Sequence, residues 1–143
     1  MIRPIWYYFS SRPDGTSGIL AIGNPLIFWA IPATVGYAAW VWWKKKSAAA
    51  GTVVVGFLTQ WLFYAPSKRV MFFHYFYFVM PYVAIATAML LEKIWRSGSS
   101  GRWAVRVFLI AVAVSFLYWY PLLTGYPISS NFYRTHIWFK TWV

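Results

Sequence analysis

Cysteine is absent from this chain of 143 residues, and acid is nearly so: Asp14 and Glu92 stand against 13 Lys and Arg. Without cysteine there is no disulfide, no thiol nucleophile and no thiolate metal ligand. Two acids far apart in sequence offer no carboxylate pair for acid–base work. His74 and His136 are equally isolated, so no cluster of residues has metal-ligand spacing. No glycine-rich phosphate loop and no nucleophile elbow is present. Met1 to Phe9 is aromatic and carries Arg3 and Pro4, and it does not read as a signal peptide. Charged residues make up 10% of the chain, against roughly a quarter in a soluble domain. On these absences alone the chain does not read as a complete enzyme.

What is abundant is apolar. Hydrophobic residues make up 61% of the chain and aromatic ones 24%. Four runs lack any acid: Leu26–Trp43, Thr52–Tyr64, Met71–Leu91 and Val105–Tyr120. Each approaches the ~20 residues that a helix needs to cross a bilayer. The second is short, and Ala48–Gly51 extends it. The expected fold is therefore an all-α integral membrane protein with four transmembrane helices, at about 25–43, 48–64, 71–91 and 104–120. Residues 1–22 and 121–143 are expected to form an N-terminal segment and a tail. Pro32 and Pro81 fall inside the first and third runs and are expected to kink them. Gly125 and Pro127 are expected to leave the tail irregular.

The net charge is +11. Most of it flanks apolar spans, where it sets topology and meets anionic lipid headgroups, so nucleic acid is not the expected partner. Lys44–Lys46 lie in the first gap, and Lys93, Arg96, Arg102 and Arg106 lie in or beside the third. The second gap has only Lys68 and Arg69. The positive-inside rule then puts the first and third gaps in the cytoplasm and both termini outside.

On that topology a polar group gathers at the outer face: Asn24 before span one, Lys68, Arg69, His74 and Tyr75 around the start of span three, and Arg3 and Tyr7 near the N-terminus. An arginine there suits a phosphate, because its planar fork donates two hydrogen bonds at once. Lys68 is more simply an anchor to lipid phosphates. The aromatic run Phe72–Phe78 reads as packing, the Trp and Tyr at span ends as interfacial belts, and Asp14, set among Pro, Gly and Ser, as a turn. His136 has no evident partner in the sequence.

Four segments, in order, resemble the C-terminal membrane region of protein O-mannosyltransferases: Arg3-Pro4-Ile5-Trp6-Tyr7-Tyr8, Gly23-Asn24-Pro25, the stretch RVMFFHYFYFVMP from Arg69 to Pro81, and Tyr120-Pro121-Leu122-Leu123-Thr124-Gly125. The resemblance implies part of a GT-C type glycosyltransferase fold. Such enzymes move mannose from a polyprenyl-phosphate carrier to Ser or Thr hydroxyls on the extracytoplasmic side, with no further cofactor and no metal assigned here. It also implies that Arg3, Asn24, Arg69, His74 and Tyr75 bind the lipid-phosphate carrier or substrate, with Arg69 on the phosphate. The family's catalytic acid lies in an N-terminal half that this chain lacks, so no catalytic residue is assigned, and a partner chain supplying that half is expected. A non-catalytic membrane scaffold or lipid-binding subunit is the alternative reading. The absence of a glycosylation acceptor motif and the compact loops point to a prokaryotic plasma membrane rather than the endoplasmic reticulum.

Overall fold

Helix α1 (Pro25–Lys45) begins where Asn24 stops the chain from staying extended. The Asn24 side chain accepts from the Leu26 N–H at 3.1 Å, and Pro25 fills the first helical position, where no donor is lost. In the computed structural model, which describes residues 5–12, 15–64 and 73–138, α1 is followed by α2 (Ala48–Tyr64), a short 3-10 helix (Phe73–Val79), α3 (Met80–Trp95), α4 (Ser99–Thr124) and α5 (Ser130–Thr135). Three segments are long and apolar enough to cross a membrane: Pro25–Lys45, Phe76–Trp95 and Ser99–Thr124. The fourth expected span, α2, is shorter. Its 17 residues rise about 26 Å, a little under the ~30 Å of a bilayer's hydrocarbon core.

Small residues let the helices approach. Ala38 of α1, Val53 and Val54 of α2 and Ala86 of α3 form one buried cluster, while Ile31, Phe76, Val79 and Val83 form another. Without water to drive association, such close backbone contact and dispersion hold membrane helices together. Ile31 clusters with Phe76, Val79 and Val83, and Ala38, further along α1, clusters with Ala86, further along α3, so α1 and α3 run in the same direction. The α1–α2 and α3–α4 turns therefore lie at one end of the bundle. In the first turn Lys46 takes a left-handed backbone, φ +52°, and Ser47 caps α2. In the second, a β-carbon at the buried Gly101 would run into the carbonyl oxygen of Ile94, so the turn closes only over glycine.

Three expectations need correction. The chain is not all-α: β1 (Ile5–Arg12) and β2 (Gly15–Ala21) form an antiparallel hairpin. Aromatic and β-branched residues favour a pleated strand over a helix, and Ile5 to Phe9 is a run of them. Pro13 and Asp14, which link the strands, lie outside the described residues. Tyr7 is the extra residue where pairing shifts from Trp6↔Leu20 to Tyr8↔Ile19. Next, Pro81 does not lie in the interior of an α-helix, although the apolar segment Phe76–Trp95 runs through it. It sits in the first turn of α3, where the chain passes from 3-10 to α geometry. Finally, the last span does not end at Tyr120. It continues through Pro121 to Thr124, where Gly125, at φ +72°, closes it with a bond from the Tyr126 N–H to the Pro121 carbonyl.

Candidate functional site

The hairpin, the end of α4 and α5 come together at the end of the bundle opposite the two turns. Alternate residues of β2 turn inward, and Leu20 packs on Trp119 and Leu122 of α4. The far edge of β2 is capped by the chain after α4: Thr16 and Ile128 exchange backbone hydrogen bonds of 2.9 and 3.0 Å. The Thr16 and Ser130 hydroxyls lie 3.3 Å apart beside them. Burial pushes the Tyr133 phenol up from its ordinary value.

At the centre of this unit is His136, with a relative exposure of 0%. Its Nε2 is 2.8 Å from the Tyr118 carbonyl oxygen in α4, and its Nδ1 is 2.9 Å from the Phe132 carbonyl oxygen in α5. Both acceptors are carbonyls, so the ring donates to α4, to α5 or, when doubly protonated, to both. It stacks on Tyr118 at 4.1 Å and meets Trp119 and Phe132 edge-on. A further contact ties α4 to α5, the Tyr118 hydroxyl donating to Thr135 Oγ1 at 2.8 Å, and beyond α5 Trp138 stacks on Trp29 of α1 at 6.0 Å. The sequence shows His136 only as a histidine in an aromatic tail. The one available signal is its spacing from Phe132, one helical turn earlier.

Of the residues expected to bind the carrier, Asn24 is the one fully in view. Its Oδ1 caps α1 and its Nδ2 donates to the Val112 carbonyl of α4 at 2.8 Å. This single amide fixes where α1 begins relative to α4. His74 and Tyr75 fall in the 3-10 helix, but their side chains, like all of Arg3, Lys68 and Arg69, lie outside the described residues. Beside that 3-10 helix is a cavity of about 440 Å³ lined by Phe28, Pro32 and Gly36 of α1, Phe57 and Trp61 of α2, and Phe76. Its walls are aromatic and aliphatic, and a β-carbon added at Gly36 would meet nothing within 4 Å. A second apolar cavity of about 290 Å³ lies between α1, α3 and α4, with the buried, unpartnered Thr87 hydroxyl on its wall. Among the described residues no group of His, Cys, Asp or Glu could hold a metal ion.

An open cavity walled by aromatic and aliphatic side chains suits a long apolar molecule. Comparison with known proteins bears on that chemistry. No family model matches the chain, and no solved structure does either. Curated sequences do. A polyprenol-phosphate-mannose–protein mannosyltransferase of Mycobacterium tuberculosis is 25% identical over 156 aligned residues, which take in 99% of this chain and 30% of that protein. The Mycolicibacterium smegmatis protein of the same name matches equally, and that of Corynebacterium glutamicum is 27% identical over 154 residues, or 98% of the chain. The relatives of this chain are protein mannosyltransferases. The chain spans about a third of their length. These bacterial mannosyltransferases, taken with the apolar helices, mark a membrane protein.

Proposed function

We propose that this chain is the C-terminal membrane region of a polyprenyl-phosphate-mannose-dependent protein O-mannosyltransferase, transferring mannose to Ser or Thr hydroxyls on the extracytoplasmic face. One observation carries the reading: similarity to such enzymes along 99% of the chain, which takes in every one of the ordered motifs. In this reading the hairpin end faces the outside, as do both termini, and the turn end faces the cytoplasm of a prokaryotic cell. The cavity between α1, α2 and the 3-10 helix receives the isoprenoid chain of the donor, since its wall is apolar. Arg69 neutralises the carrier phosphate as it leaves, with Arg3, His74 and Tyr75 near it. Asn24 serves the same site by holding α1 against α4. The acceptor hydroxyl is activated by a carboxylate that this chain does not contain, supplied by a further segment or a partner chain with an acidic outer loop.

The test is binding of polyprenyl-phosphate mannose to the chain reconstituted in lipid. Arg69→Ala is expected to weaken binding at least tenfold, as loss of a charge-assisted bidentate contact does. Gly36→Leu, whose β-carbon would meet nothing within 4 Å, is expected to take up part of the cavity and weaken binding. If neither substitution alters binding, the site is misplaced.

A further inference from the structure

At the turn end of the bundle, seven basic residues, Lys44, Lys45, Lys46, Lys93, Arg96, Arg102 and Arg106, face one acid, Glu92. All seven are exposed. Glu92 is already taken, its carboxylate lying 2.6 Å from the guanidinium of Arg96. Crowding like charges at the end of a bundle destabilises it unless counter-ions are held there.

Two of these cations are held by indole rings. The guanidinium of Arg106 lies 5.6 Å from the ring centroid of Trp95 and 5.9 Å from that of Trp103, both exposed, and Lys46 Nζ lies 5.2 Å from that of Trp43. Arg102 and Arg106 are one turn apart on the same face of α4. The positive-inside rule asks only for charge on this side and does not ask for a guanidinium between two rings. Indoles settle at the membrane–water interface, so the rings fix Arg106 at headgroup depth. A cation–π contact engages the charge and leaves the N–H groups of the guanidinium fork able to donate to two oxygens at once.

We infer that the turn end is a binding site for anionic phospholipid, with the headgroup phosphate held by Arg106 between Trp95 and Trp103 and by Arg102 beside it. Charge selects an anion, and the depth set by the indoles selects one carried by a lipid rather than one free in solution. This inference does not rest on mannose transfer, and it concerns the end of the molecule away from the cavity.

The experiment is native mass spectrometry of the full chain released from micelles containing equal amounts of phosphatidylglycerol and phosphatidylcholine. Phosphatidylglycerol is expected to stay bound in preference. Arg102→Gln and Arg106→Gln should each lower its retention about fivefold, the expectation for one cation near an anionic surface. Arg106→Lys, which keeps the charge and loses the fork, should lie between Arg106→Gln and the unaltered chain. Lys44→Gln with Lys45→Gln, on a different helix, should lower retention in the same direction, so a local fault in α4 cannot mimic the result. Arg134→Gln, at the opposite end, should change nothing. Equal retention of the two lipids would overturn the inference. So would retention indifferent to the arginine substitutions, or complete displacement of the lipid by soluble pyrophosphate.

Discussion

At one end of the bundle a strand pair, a one-turn helix and a buried histidine hold residues from both halves of the sequence against α4. At the other, two tight turns carry seven basic residues and bury little beyond Ala50, Gly51, Gly101 and Val105. The hairpin end is held by side-chain and backbone hydrogen bonds between residues distant in sequence: His136 with Tyr118, Thr16 with Ile128 and Asn24 with Val112. The turn end has one exposed salt bridge and rings beside cations. The two ends differ in how they are built. A precise, sequence-distant arrangement suits the positioning of a reacting group, whereas an open cationic surface suits lipid and topology.

If that division is right, substitutions at the two ends should differ most at His136. Replacing it with Ala opens a cavity, removes the ring's hydrogen bonding to α4 and α5 and frees α5, at a cost of about 3 kcal/mol. Arg102→Gln at the other end should stay within about 0.5 kcal/mol. Thermal unfolding in one detergent measures both, and equal effects would break the comparison. Asn24→Ala should fall between, at about 1–2 kcal/mol, because it removes a helix cap and an interhelical bond together. Hydrogen exchange at the Leu26 amide would report the loss. The smallest effect is expected at Thr87, where the hydroxyl is buried without a partner. Thr87→Val should be neutral or stabilise by no more than about 0.5 kcal/mol, and a clear destabilisation would mean that the hydroxyl has a partner in the membrane.

The helices were legible because long apolar runs have few other uses, and their polar boundaries, Asn24-Pro25 and Lys44–Lys46, carry known preferences. The hairpin was legible only in retrospect. Pro13-Asp14-Gly15 is a turn signal between two short runs, and those runs are overshadowed by the longer apolar ones that follow. The last span is expected to end with the apolar run at Tyr120, whereas the helix continues through Pro121 until Gly125 closes it. His136 could not be read at all: its partners are backbone carbonyls 4 and 18 residues away, and carbonyls have no signature in a sequence. Of the residues proposed to hold the carrier, Asn24 proved to have structural partners for its whole amide. The resemblance to mannosyltransferases was carried by ordered motifs, and the curated relatives bear it out.

The most direct test of the division between the ends is photolabelling of the reconstituted chain with a photoactivatable polyprenyl phosphate, in excess phosphatidylglycerol to occupy the cationic surface, followed by mapping of the labelled peptides. The expected result is label in the N-terminal half of α1, in α2 near Phe57 and Trp61, and in the 3-10 helix. Label concentrated between Trp42 and Ala50 or between Glu92 and Arg106 would contradict the account, because it would put the carrier at the end built for bulk lipid.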